Sequence, residues 1–88
     1  MKTMTPREKS IRYMYFAIMN GRTVKVDFSW MTARFRRYEW NELGYISCEW
    51  HGRTACRDSL TAFAESIRIC AKVGKNFKRG RIPFSVED

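Results

Sequence analysis

The sequence predicts a small α+β domain, in which an antiparallel sheet of about three strands packs against two or three helices. Three observations lead to this prediction. They are a helix start signal at residues 5–8, alternating apolar and polar residues at 23–30, and apolar residues at helical spacing after residue 59. The chain has 88 residues, of which 44% are hydrophobic, enough for one core but not for two. We therefore treat residues 1–88 as one compact domain.

The first helix is predicted to begin at Pro6. Thr5-Pro6-Arg7-Glu8 has the form of a capping box, and proline suits the first helical position because its missing N–H would have no partner there. Apolar residues then recur at helical spacing, at Ile11, Met14, Tyr15, Ile18 and Met19. The alternative is a hairpin with Asn20-Gly21 as its turn, since residues 13–19 are apolar throughout and their period does not decide. The capping box favours the helix.

The clearest strand covers residues 23–30, where Val24, Val26, Phe28 and Trp30 alternate with polar residues. This pattern places Trp30 on the core side. Residues 32–42 are ambiguous: Met31, Phe35 and Tyr38 fit a helix, whereas Arg34, Arg36, Tyr38 and Trp40 would share one face of a strand. Neither glycine nor proline separates this segment from the strand before it, which favours a helix.

The second half predicts a hairpin followed by a helix. Gly44 ends the ambiguous segment, residues 45–50 alternate as a strand with Trp50 in the core, and His51-Gly52 is a plausible turn into a strand at 53–56. Asp58 or Ser59 is expected to cap the last helix, and Gly74 suits its end. The apolar stripe of that helix consists of Leu60, Phe63, Ala64, Ile67 and Ala71.

The charge of the chain points to polyanions or acidic protein surfaces as partners. The formal net charge is +8 and the isoelectric point is near 9.9. Residues 1–44 carry nine cations against four acids, and residues 45–88 carry eight against five, so the excess is spread along the chain. A net charge of this size in a small domain favours binding to nucleic acid or to an acidic surface.

A basic arm at about residues 74–82 is the first candidate site. The stretch KVGKNFKRGR, residues 72–81, holds five cations and no acid. Lys72 and Lys75 suit the negative end of the helix dipole, but the cations beyond them lie past the reach of that field. We expect Lys75, Lys78, Arg79 and Arg81 to contact phosphates or an acidic partner, with a solvated tail as the alternative. Ile82-Pro83-Phe84 is expected to fix the far end of the arm to the body.

An arginine and aromatic cluster is the second candidate site. Arginine binds phosphate through two parallel hydrogen bonds, and aromatic rings stack on unpaired bases. The same residue types are the usual hot spots of protein interfaces. A third possibility is that the aromatic rings pack inward while the arginines face solvent. The cluster consists of Arg34, Arg36, Arg37, Tyr38 and Trp40.

The cysteines raise the question of a zinc site. Cys48, His51, Cys56 and Cys70 lie within 23 residues, and three cysteines with one histidine form a known structural zinc set. However, the chain has no C-x2-C pair and Cys70 falls inside the predicted helix. Buried free cysteine is the more common case, so we expect no metal and no other cofactor. No catalytic motif is present either, so we do not expect an enzyme.

The sequence also bears on location and assembly. Its first twelve residues are basic and lack the apolar stretch of a signal peptide, and the apolar run at 13–19 is too short to span a bilayer. Three cysteines do not suit a framework of disulfides. We therefore expect a cytoplasmic protein that does not bind membranes. The apolar run at 13–19 is also a possible homodimer face.

Two function hypotheses follow. The first is a small, non-enzymatic, regulatory protein that contacts nucleic-acid backbone. The second is an inhibitor or adaptor of the type found in phages and mobile elements, which docks on an acidic or nucleic-acid-binding surface of a larger complex. The predicted order of helix, meander and helix is similar in topology to the double-stranded RNA-binding domain. The lysine cluster that opens the last helix of that domain is replaced here by Arg57-Asp58-Ser59-Leu60, so no family is assigned.

Overall fold

Two helices and a five-stranded antiparallel sheet make up the fold in the computed structural model, which describes residues 3–28, 30–49, 53–74 and 82–87. The predicted α+β class is confirmed, but the sheet has five strands where about three were expected. Across the sheet the strand order is β4-β3-β2-β1-β5. In chain order the elements are α1 (Pro6–Met19), β1 (Thr23–Asp27), β2 (Thr32–Trp40), β3 (Leu43–Glu49), β4 (Arg53–Arg57), α2 (Leu60–Gly74) and β5 (Phe84–Glu87).

Helix α1 begins as predicted and excludes the hairpin alternative. The Thr5 hydroxyl accepts a hydrogen bond from the Glu8 amide at 3.1 Å, and Glu8 Oε1 accepts one from the Thr5 amide at 3.1 Å. These bonds to Thr5 hold the pKa of Glu8 below its usual value, since they favour the charged carboxylate. The helix ends at Asn20, whose side chain donates to the Phe16 carbonyl.

Strand β2 overturns the expectation of a helix at residues 32–42. It pairs with β1 on one side and with β3 on the other, so that Phe35 lies opposite Val24 and Cys48. The turn between β1 and β2 contains neither glycine nor proline. It is closed by a hydrogen bond from the Phe28 amide to the Met31 carbonyl at 2.9 Å. Long-range pairing on both sides therefore overrides a local pattern that fits either structure.

A two-residue turn joins β2 to β3. Trp40 pairs with Leu43, and the residues between them, Asn41 and Glu42, have φ values of 52° and 64°. Positive φ at both central positions is the feature of the type I′ turn, which matches the twist of paired strands. Asparagine tolerates this conformation, whereas glutamate is an unusual residue for it. The turn therefore has the asparagine of the common Asn-Gly pair but not its glycine.

Both helices pack on one face of the sheet and enclose the core there. Phe35 is the centre of this core: its ring lies 5.5 Å from that of Phe63 and 6.4 Å from that of Phe28, both edge to face. Helix α1 contacts β1, β2 and β5, while α2 contacts β4 and α1. The largest fully buried side chains are Phe28, Phe35, Phe63, Met14, Ile18, Ile46, Ile67, Ile82, Val24 and Val26.

Asp58 ties the sheet to both helices just before α2. Its amide donates to the Gly44 carbonyl at 3.2 Å, and its own carbonyl accepts from the Tyr15 hydroxyl at 2.8 Å. Its carboxylate accepts from Arg37 Nε at 3.1 Å. The cap of α2 is therefore Ser59, whose hydroxyl accepts from the Ala62 amide at 3.2 Å. Asp58, the other residue expected to cap this helix, instead bonds Gly44, Tyr15 and Arg37.

Two further expectations concern the edges of the core. Ile82 is fully buried and Phe84 begins β5, so the expected attachment of residues 82–84 to the body is confirmed. Trp30, expected in the core, is instead 37% exposed in the loop before β2, where its indole N–H donates to the Cys70 carbonyl at 3.0 Å. Trp50 lies outside the described residues. Within the described ranges, no helix has the length and apolar character needed to cross a membrane.

Candidate functional site

The candidate site lies on the face of the sheet opposite the helices, which we call the open face. Because side chains alternate along a strand, β2 places Ala33 and Phe35 against the helices and sends its other set to the open face. That set consists of Thr32, Arg34, Arg36, Tyr38 and Trp40, and all five are exposed. The strand interpretation of residues 32–42 thus brings together four of the five residues predicted for this cluster.

Aromatic rings form a row across the open face. Tyr38 pairs with Tyr45 of β3, and the two rings are stacked with centroids 5.5 Å apart and planes 23° from parallel. Arg57 of β4 lies over the other side, with its guanidinium carbon 5.5 Å from the centre of the Tyr45 ring. A cation over a ring face is attracted to its electrons, so this contact holds Arg57 at the surface.

Trp40 is the most accessible aromatic residue of this face. It is 65% exposed, and its partner across the hairpin, Leu43, is 41% exposed. Trp40 and Leu43 are the next pair on the same face after Tyr38 and Tyr45, toward the hairpin turn. An indole that is mostly exposed at the end of a paired strand is accessible to a planar ligand, while the strand fixes the position of its backbone.

Cations flank the aromatic row on the open face. Arg36 is exposed and lies opposite Ser47, and within the part of the chain that the structure describes it has no acidic partner. Arg34 lies opposite Lys25 of β1 and the exposed Glu49 of β3 and bonds Glu87 of β5 at 3.0 Å, so part of its charge is already compensated. The uncompensated positive charge is therefore nearest to the aromatic row.

Arg37 does not join the other residues of the cluster. It follows Arg36 in sequence and so lies on the opposite side of β2, where its guanidinium bonds Glu39 Oε1 and Asp58 Oδ2, each at 3.1 Å. These hydrogen bonds, which Arg37 donates to Glu39 and Asp58, raise the pKa of Arg37 because they stabilise its charged form. Arg37 thus connects β2 to the residue just before α2, and its Nε and Nη1 atoms donate within the fold.

Sequence reasoning missed part of this face. Tyr45, Leu43, Arg57 and Lys25 belong to it because they pair across strands, and none was chosen from the sequence. The alternation of residues 45–50 and its pairing with a strand at 53–56 were predicted from the sequence, but the other neighbour, β2, was expected to be a helix. The arm residues Lys75, Lys78, Arg79 and Arg81 lie outside the described residues.

The three cysteines are free and line one small apolar cavity of about 150 Å³ with Phe35, Ile46 and Ile69. Burial raises the pKa of all three thiols, that of Cys48 to about 11, so they remain protonated at neutral pH. Among the described residues, no three side chains of histidine, cysteine, aspartate or glutamate are arranged to hold a metal ion. His51 lies outside that part of the chain.

No protein-family model matches the chain, and neither does any curated protein or any solved structure. Its function is therefore inferred from the open face itself.

Proposed function

We propose that the protein binds single-stranded nucleic acid on the open face of its sheet. The observation that carries this proposal is the exposed ring of Trp40 beside the stacked Tyr38 and Tyr45, on the same face as Arg36, which has no acidic partner among the described residues. Bases stack on aromatic side chains whatever their identity, and arginines bind the phosphates that link them. The formal charge of +8 draws such a polyanion to the protein.

The open face suits an unpaired strand better than a duplex. In a duplex each base already stacks on its neighbours, so a protein ring cannot reach a base plane without opening the helix. Arginines on a flat face contact phosphates of either form, but Trp40 and Tyr38 contribute only when bases are free. Contacts of this kind carry little sequence information, so we expect weak sequence preference.

The arm at about 74–82 is a second contact in this proposal. Its cations, Lys75, Lys78, Arg79 and Arg81, would add phosphate contacts that depend on salt but not on base identity. A protein that covers an unpaired strand without altering it controls access to that strand. We therefore propose a regulatory binding protein, not an enzyme, and a cytoplasmic location, in line with its free cysteines.

A titration of fluorescent oligonucleotides tests the proposal. Anisotropy is measured with single-stranded DNA, single-stranded RNA and duplex DNA of equal length over a series of salt concentrations. We expect the single strands to bind more tightly than the duplex. Replacing Trp40 by alanine should weaken single-strand binding about tenfold, the order of one lost stacking contact, and leave duplex binding nearly unchanged.

The arginines are tested with a charge-matched control. The double change Arg34→Gln and Arg36→Gln removes two charges from the open face, and Arg12→Gln with Arg68→Gln removes two from the groove between the helices. If the open face binds the strand, the first pair lowers the salt slope by about 1.4 and the second leaves it nearly unchanged. Equal losses in the two double variants would show that only the overall charge matters, and would overturn the assignment of the site.

An acidic protein surface is the second candidate partner for the same face. Tryptophan, tyrosine and arginine are the residues that dominate protein interfaces, and the exposed pair of Trp40 and Leu43 favours such a partner. In this case no oligonucleotide binds tightly at low salt. Purification from the native host after nuclease treatment then yields one stoichiometric protein, and Trp40→Ala abolishes its capture.

A further inference from the structure

A second exposed apolar surface lies at the opposite edge of the sheet. Within the described residues, β5 pairs with β1 on one side and has no strand on the other. Tyr13 and Phe16 of α1 overhang this edge, 65% and 55% exposed, and the Tyr13 ring lies 5.7 Å from that of Phe84. Together with Val86 they line a shallow groove along the strand; we call this surface the β5 edge.

We propose that the β5 edge pairs with the β5 edge of a second copy of this chain, to form a twofold dimer with a continuous ten-stranded sheet. Exposed strand edges are usually protected by charges, bulges, proline or a very short strand, and of these β5 has a length of only four residues and Pro83 just before it. The sequence of β4, at the other edge, has an arginine at each end. The sequence of β5 is Phe-Ser-Val-Glu, and its one charge is already bonded to Arg34.

The hydrogen bonds to β1 show which backbone groups are available for this pairing. The Asp27 amide donates to the Pro83 carbonyl at 3.0 Å, and the register then places Ser85 in the next hydrogen-bonded pair, opposite Lys25. In an antiparallel ladder the intervening residues point their N–H and C=O groups the other way. Phe84 and Val86 therefore present their backbone groups to the outer side of β5.

One register of the twofold pairing uses those groups and keeps apolar side chains together. With Ser85 opposite Ser85 of the second copy, Phe84 exchanges two hydrogen bonds with Val86 of that copy, and the symmetry gives two more. Phe84 and Val86 both face the helix side, so each ring meets a valine there. The register centred on Phe84 also uses outward backbone groups, but it pairs Val86 with Ile82, which lies before β5 and whose side chain is fully buried in the core of its own chain.

The size of the surface indicates a weak dimer. A buried aromatic side chain removes about 150–250 Å² from water, so Tyr13 and Phe16 leave about 200 Å² exposed in each copy. With the strand edge, Phe84 and Val86, we estimate roughly 800 Å² for both copies, the range of weak interfaces. The β1 strands of the two copies would be three strand spacings apart, about 14 Å, a gap that two layers of rings can fill.

Salt distinguishes this dimer from nucleic-acid binding. Two copies of charge +8 repel each other; Arg22 lines the groove of the β5 edge, and Lys9 lines a second pocket beside Tyr13 and Phe84. Added salt screens that repulsion and therefore strengthens the dimer. The same salt weakens binding to a polyanion. The two proposals are independent, and either can fail alone.

Sedimentation velocity without nucleic acid tests the dimer, over a series of protein concentrations at low and high salt. We expect the mass to rise from 10.5 kDa to twice that value with concentration, at lower concentrations when salt is high. A wild-type protein that remains monomeric at millimolar concentration in high salt overturns the proposal.

A charge exchange at Ser85 tests the register. Ser85 is exposed, and in this dimer the two copies of it face each other across the axis, with Cα atoms about 4.5 Å apart. Ser85→Lys alone and Ser85→Glu alone should each give monomers, because like charges then meet. An equimolar mixture of the two variants should restore the dimer. The same exchange at Thr32, also exposed but on β2, is the control and should leave the wild-type dimer intact.

Thermal unfolding shows whether each variant is folded before its mass is measured. Dimers that persist in both single Ser85 variants, or a mixture that stays monomeric, overturn pairing through β5 even if the wild type dimerises.

Discussion

At the scale of single residues, Gly44 and Asp58 depend on each other. Gly44 lies on the helix side of β3, and a Cβ atom built there would overlap the Asp58 carboxylate. The absence of a side chain at Gly44 is what lets Asp58 approach β3 closely enough to bond its carbonyl and reach Arg37. We predict that Gly44→Ala lowers the free energy of unfolding by about 2 kcal/mol, as expected when an atom is added to a filled site.

A double-mutant cycle separates this overlap from the ordinary effect of an alanine in a strand. In the background of Asp58→Ala the overlapping carboxylate is gone, so Gly44→Ala should then cost less than about 1 kcal/mol. Urea unfolding of the four proteins gives both values. Equal costs in the two backgrounds would mean that the carboxylate is not the cause.

The residue scale also shows what the sequence leaves open. Arg36 and Arg37 are neighbours of the same type, and a helix would place both on its exposed side. Only the assignment of a strand sends Arg36 to the open face and Arg37 to Asp58. The choice of residue types was informative, since Arg34, Arg36, Tyr38 and Trp40 do lie together. The local pattern does not show that Arg37, the fifth residue of the predicted cluster, lies on the helix side, because that depends on the strands that pair with β2.

At the scale of elements, the β2–β3 hairpin has a turn residue that does not suit its conformation. Glu42 has a φ of 64°, where a residue with a Cβ atom is strained by about 1–2 kcal/mol. Glycine relieves that strain but makes the unfolded chain more flexible, which offsets part of the gain. We predict that Glu42→Gly raises the free energy of unfolding by about 0.5–1 kcal/mol, or the melting temperature by about 4 °C.

Asn41→Gly is the matched control for this prediction. Asn41 has the same sign of φ, 52°, but asparagine adopts that region more readily, so the gain should be smaller. Glu42→Ala keeps the Cβ atom and should not stabilise the protein. A melting temperature that rises equally for Glu42→Ala would attribute the effect to the removed charge and not to the backbone.

Elements with strong local signals were predicted correctly, and those that depend on distant pairing were not. Helix α1 has a complete capping box, and α2 has a regular apolar stripe, so both are found at the predicted places. Strand β5 has four residues, too few for an alternation to be recognised. It forms because its backbone pairs with the edge of β1. The sheet is larger than the sequence indicated because it gains β5 at this edge and β2 at its centre, where a helix was expected.

At the scale of the whole molecule, the two proposed surfaces are arranged to act together. A twofold axis through the paired β5 strands is perpendicular to the sheet, so both open faces lie on the same side of the dimer. The two β2 strands are then five strand spacings apart, about 24 Å. A nucleic-acid strand long enough to cross this distance contacts both open faces, whereas a short one contacts only one. The second contact is then intramolecular and raises affinity without any new type of contact.

We therefore predict that single-stranded oligonucleotides able to span both faces bind much more tightly than short ones under conditions where the dimer forms. The Ser85→Lys variant should lose most of this difference, because it removes the second face. Its added charge lies on the open face and affects short and long oligonucleotides alike, so the ratio of the two affinities reports bridging alone. Thr32→Lys adds the same charge to the same face without touching β5 and should keep the ratio of the wild type. A ratio unchanged by Ser85→Lys would mean that each chain binds its strand independently, even if both individual surfaces are correct.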